Sequence, residues 1–143
     1  RRLGFFTMLR QSHGYEVDVV AARADQLLLG EVKSFFGSTG VQRSSFVGLA
    51  STPTNATEKW LARQKAEFAR YRLLNDAEHR AKVIEAACEK YGYADAQVKV
   101  ALFVGHFKPG DEADITSHLQ SISVGSGTIG VGVPLFALGS AAA

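Results

Sequence analysis

The chain has 143 residues, 46% of them hydrophobic and 21% charged, with a formal net charge of +2. That balance describes one globular domain long enough to bury a single core, and it excludes a disordered or fibrous chain. A charge of +2 is too small to argue for nucleic acid by itself, so local clustering has to carry that case. The single cysteine, Cys88, excludes an internal disulfide and fits a reducing, cytoplasmic compartment. No apolar run is long enough to cross a bilayer, and no signal-peptide pattern stands in the sequence. Zinc-spaced Cys/His clusters, a Walker-type glycine loop and a G-x-S-x-G elbow are all missing.

Arg1-Arg2-Leu3-Gly4 reads as the last turn and cap of a helix, which predicts a helix upstream of this stretch. Phe5 to Ser12 then reads as a strand, turned by His13-Gly14 into a second over 15–23. A third follows over 26–36, giving a three-stranded meander. Alternation puts Glu16, Asp18 and Val20 on one face of the second strand, with Val17, Val19 and Ala21 on the other. In the third, Leu27, Leu29, Glu31, Lys33 and Phe35 share a face. If the two runs pair as a hairpin, Asp18, Glu31 and Lys33 meet at one end of a small sheet. Two carboxylates and a lysine on apolar strands are costly to bury unless they bind a cation or each other.

Gly37 to Gly40 reads as a flexible loop, continued by Val41 to Leu49. Ser38 and Arg43 either meet a phosphate there or lie on an ordinary surface loop. Asn55 with Glu58 makes a capping-box pattern for a helix running to Leu74. On it Lys59, Arg63 and Arg70 fall close to one face, either a stripe for a DNA backbone or a solvated surface. Asp76 to Tyr91 is a second helix stopped by Gly92, with Ala81, Ile84, Ala87, Cys88 and Tyr91 as its apolar face. Cys88 is accordingly a core thiol, not a nucleophile. Val98 to Phe107 is a near-continuous apolar run, hence a central strand. A short helix over 114–121 and a last strand over 128–138 complete residues 1–138 as one domain. Residues 139–143 read as a tail or linker. The four histidines, His13, His79, His106 and His118, are scattered and do not pair at ligand spacing.

Asp18, twelve residues, then Glu31-Val32-Lys33 resembles the PD-(D/E)XK nuclease superfamily; the phrasing GYEVDVVA…LLLGEVKSF is most similar to its Holliday-resolvase-like and Mrr-like branches. The resemblance covers residues 1–36 well and the remainder only in its order of elements. It implies an α/β, restriction-endonuclease-like fold, with a mixed sheet whose three-stranded meander is followed by helices and two further strands. It also implies a metal-dependent endonuclease acting on double-stranded DNA. Asp18, Glu31 and the Val32 backbone carbonyl would hold Mg²⁺, with Mn²⁺ as a substitute, since hard cations take oxygen ligands. Lys33 would orient the attacking water, and Glu16 would be a further ligand, a carboxylate behind the ligands, or an exposed strand-edge residue. Cutting both strands with one site per chain implies a homodimer, and further domains of a longer chain are the other expected partners. Restriction in a bacterial or archaeal cell is the leading role, and junction resolution or repair the alternative.

Two departures stand out. Val17 replaces the proline before the aspartate, and residues 1–14 contain no Asp or Glu, although many relatives draw an acidic residue from the preceding helix. A glutamine after E-x-K also contributes in some relatives, and Gln42 and Gln64 are the candidates here. Two readings from other classes remain open: a catalytically silent DNA-binding module of the same fold, and a structural ion-pair cluster in an unrelated α/β protein.

Overall fold

The Val- and Leu-rich runs on either side of Ala24-Asp25 pair as an antiparallel hairpin, β2 (Val19–Arg23) with β3 (Gln26–Lys33). An Arg23–Asp25 ion pair of 2.9 Å spans the turn. β1 (Phe6–Leu9) runs antiparallel to β2, from Phe6 opposite Ala22 to Leu9 opposite Val19. This is the expected meander, with shorter strands; the computed structural model describes residues 6–9, 17–33, 40–47 and 54–132. β4 (Val98–Val104) lies parallel to β3, and β7 (Gly130–Gly132) parallel to β4. The resulting mixed sheet has the order β1-β2-β3-β4-β7, and the protein is α/β. A parallel step from β3 to β4 requires a long crossover, and the helical half of the chain supplies it.

Within that crossover, four residues expected as loop form a short helix, α1 (Ser44–Val47). α2 spans Glu58–Arg70, and its cap is Thr57, not Asn55: the Thr57 hydroxyl accepts the Trp60 N–H at 3.1 Å. The expected single helix to Leu74 is broken at Tyr71, whose φ of −104° and ψ of 41° leave the helical region. The short α3 (Arg72–Asn75) follows, then α4 (Ala77–Tyr91). Asp76 caps α4 through a 3.0 Å bond from the His79 N–H, and Gly92 ends it at a φ of 77°. That left-handed conformation costs glycine least.

Val20, Leu27, Leu29, Val98, Val100, Leu102 and Val104 form the buried face of the sheet. They share one core with Tyr71, Leu73, Leu74, Val83 and Ala87 from the helices and Ile115 and Leu119 from α5 (Glu112–Gln120). The strands are therefore covered on that face, and β4 alternates buried with half-buried residues instead of being buried on both sides. Two expected faces are corrected. Val17 belongs to the core with Val20, because the chain bends at Asp18 and alternation restarts there. On α4, Ala81 is exposed, while Val83 and Arg80 are buried. Arg80 is admitted because Nη1 donates to the Leu73 and Leu74 carbonyls at 3.3 and 3.0 Å, groups that α3 leaves unpaired at its end.

The expected last strand over 128–138 is present as the shorter edge strand β7, and a small hairpin that was not expected, β5 (Ser123–Val124) with β6 (Gly127–Thr128), precedes it. Residues 133–138 lie outside the described part. No helix among the described residues is long and apolar enough to cross a membrane.

Candidate active site at the end of the β2–β3 hairpin

The β2–β3 ladder pairs Val19 with Gly30 and goes no further. The next β3 amide facing that way is Val32's, and the Asp18 carboxylate takes it: Val32 N–H donates to Oδ2 at 3.0 Å, half-buried. The bend that precedes β2 thus brings Asp18 to the main chain between Glu31 and Lys33, through a contact with Val32 fourteen positions away in sequence. Oδ1 is left for a second partner. Gly105 N–H donates to the Lys33 carbonyl at 2.8 Å, so the Lys33 main chain faces β4. Main-chain groups alternate along a strand, which turns the Val32 carbonyl toward Asp18. Three oxygen donors, from Asp18, Glu31 and Val32, are therefore carried at one end of the sheet.

Glu31 occupies a core-face position, next to Leu29 along the strand and opposite Leu102 on β4. It is 9% exposed, one of the few buried charged groups among the described residues. Lys33 follows on the same face, opposite Val104. Its amine does not ion-pair with Asp18 or Glu31; Nζ lies over the Tyr71 ring, 5.2 Å from the centroid. Tyr71 packs in turn on Phe46 of α1, with centroids 4.6 Å apart and planes tilted by 55°. Burial, then the negative charges of Glu67 and Glu31, push the Tyr71 hydroxyl far above the ordinary phenol range, against a smaller pull from Arg70.

Those influences connect two features that the sequence leaves separate. Lys59, Arg63 and Arg70 are exposed on α2, as expected. The stripe borders Glu67, which binds Arg70 at 3.0 Å, and Glu67 and Arg70 both act on Tyr71. Tyr71 also feels Glu31 and carries Lys33, so the Arg70 end of the basic helix face meets Glu31 and Lys33 at this one side chain. Sequence reading passed over Tyr71 because Arg70-Tyr71-Arg72 sits inside a helical pattern. Its only advance signal is its place on the core face of the helix that follows E-x-K.

Arg43 is held elsewhere. Its backbone N–H donates to Asp111 Oδ2 at 2.9 Å, and its side chain pairs with Asp114 at 3.3 Å, tying α1 to the start of α5. Half of its expected role is therefore taken by a structural contact, though 43% of the side chain is exposed. Gly40 has a φ of 93°, and a Cβ there would meet the Phe107 carbonyl carbon at 2.7 Å, so only glycine lets the chain re-enter beside β4. Val41 then bridges to Phe107. Glu16, Ser38 and His13 lie outside the described residues. Gln42 and Gln64 are half-buried, and His106 is exposed beside Gly40. Cys88 is partly buried, and burial first, then Asp95, raises its thiol, as suits an unreactive group.

Among the described residues no group of three or more His, Cys, Asp or Glu is placed to hold a metal ion. The donor set at hand is two carboxylates and a carbonyl, all oxygen, which suits Mg²⁺ or Mn²⁺ and not a soft metal. No protein-family model, curated protein or solved structure matches the chain.

Proposed function

We propose that the protein is a metal-dependent endonuclease of the PD-(D/E)XK type, hydrolysing phosphodiester bonds of double-stranded DNA. The observation that carries this is the Asp18–Val32 hydrogen bond, which gathers Asp18, Glu31 and Lys33 at one end of a mixed sheet. Asp18 Oδ1, Glu31 and the Val32 carbonyl would hold Mg²⁺ or Mn²⁺. The cation would supply a polarised water and neutralise charge on the phosphate. Lys33 brings an ammonium to the same end of the sheet, where it orients the attacking water and offsets charge developing on the phosphate. Lys59, Arg63 and Arg70 contact the DNA backbone and set its path, without reading sequence. A homodimer in a bacterial or archaeal cytoplasm, acting in restriction, is the setting this reading favours.

The test is supercoiled plasmid with Mg²⁺ or Mn²⁺, comparing the protein with Lys33→Ala and Asp18→Asn. Metal-dependent nicking or linearisation by the parent, lost by at least about 100-fold in both variants, is the expected outcome. Cleavage that survives both substitutions would overturn the assignment. A second reading, a silent DNA-binding module, is favoured by one observation: among the described residues no group of three or more His, Cys, Asp or Glu is placed to hold a metal ion. DNA binding with no metal-dependent cleavage would select it.

A further inference from the structure

We propose that Tyr71 is the positioning residue for Lys33, its ring being the surface on which the amine is held beside Glu31. The observations are geometric. A lysine two residues from a buried carboxylate would ordinarily turn to it, yet Lys33 Nζ lies 5.2 Å from the Tyr71 ring centroid and makes no ion pair with Glu31 or Asp18. A cation over an aromatic face is attracted to it, and more strongly as water is excluded. Tyr71 is 1% exposed, and Phe46 braces its ring. The helix breaks at this residue, so the backbone departs from helical geometry where the ring enters the core. The consequence is a division of labour. The ring fixes where the ammonium stands at this end of the sheet, and the carboxylates are left out of that task.

The kinetic part of the proposal rests on the nuclease reading; the hold on Lys33 does not, and two measurements separate them. The first is the rate at which an amine-reactive acylating reagent modifies Lys33, read by mass spectrometry in the intact protein, Tyr71→Phe and Tyr71→Leu. Phe keeps the aromatic face and Leu removes it, so Y71F should match the parent and Y71L should be modified on the order of tenfold faster. Equal rates in all three would overturn the proposal whether or not the protein cuts DNA. The second is plasmid cleavage. There Y71L should lose on the order of tenfold in kcat with KM unchanged, and Y71F should retain parental kcat. A merely structural role predicts lower melting temperatures without that division between kcat and KM, and loss of kcat in Y71F equal to that in Y71L would also overturn the proposal. Should Y71L fail to fold, Tyr71→Met fills the space without an aromatic face and carries the same expectations. A parent that binds no metal and cuts nothing sinks the nuclease reading, and the modification rates still decide the role of Tyr71.

Discussion

Asp18 carries two tasks that one pair of substitutions separates. Its Oδ2 accepts the half-buried Val32 N–H at 3.0 Å, which ends the hairpin, and its charge and Oδ1 remain for a cation. Asp18→Ala removes the acceptor and leaves an amide without its partner. A hydrogen bond to a charged group contributes about 1.5–3 kcal/mol, and partial access to water reduces the loss to about 1–2 kcal/mol. Asp18→Asn keeps a carbonyl oxygen in the same place and should cost roughly 0.5 kcal/mol, the difference between a charged and a neutral acceptor. Urea denaturation in EDTA should therefore rank the parent above D18N and D18N above D18A. For a chain of this size the melting temperatures should fall by about 1–2 °C and 3–6 °C respectively. Metal affinity and plasmid cleavage should follow a different order, lost in both variants alike, because both lack the charge. Equal stability of D18A and parent would mean that the bond to Val32 does not hold the site together. D18N with full metal affinity would mean that Asp18 is a structural cap and not a ligand.

Two further predictions concern the helices that support the site. Arg80→Met keeps most of the buried stem but removes the donors to the Leu73 and Leu74 carbonyls, so it should cost about 2–3 kcal/mol in urea denaturation without altering KM for DNA; unchanged stability would refute the argument. The His79 backbone N–H, more than any other group, lowers the Asp76 carboxyl below its usual range against a smaller opposing effect of burial. A lowered folded-state value gives stability that is complete above the ordinary carboxylate pKa of about 3.9 and lost as pH falls through the lower folded value. Parent urea midpoints should thus fall more steeply below about pH 4 than those of Asp76→Asn, which still caps the helix but carries no charge. Parallel profiles would remove Asp76 from the account.

The sheet was legible where residues repeat with period two and turn signals separate them. Val19 to Lys33 contains both the hairpin and its face pattern, so Glu31 and Lys33 fall on the predicted side. Val17 did not, because the local alternation carries no sign of the bend at Asp18. That bend is set by the carboxylate reaching across to β3, a contact between residues distant in sequence. The same limit explains α2. Local periodicity runs unbroken through Arg70-Tyr71-Arg72, and the break falls where the Tyr71 ring packs against Phe46 and Lys33, contacts between residues distant in sequence. Thr57 and Asn55 are both good caps, and only the three-dimensional path of the chain chose between them. The two-residue strands of the β5–β6 hairpin are too short to leave any periodic trace.

Lys33 decides among the three readings of the charge cluster more sharply than the carboxylates do. A structural ion-pair cluster of these three charges needs the lysine to pair directly with Asp18 or Glu31. The amine instead faces an aromatic ring, 5.2 Å from the Tyr71 centroid. A lysine held on an aromatic face keeps its charge for use at the site, as a functional lysine requires. A silent module has no need of a lysine held in one place, because DNA binding through Lys59, Arg63 and Arg70 is indifferent to where Lys33 points. Replacing the Tyr71 face and following Lys33 therefore tests more than one residue: it asks whether the fold holds this amine at the site.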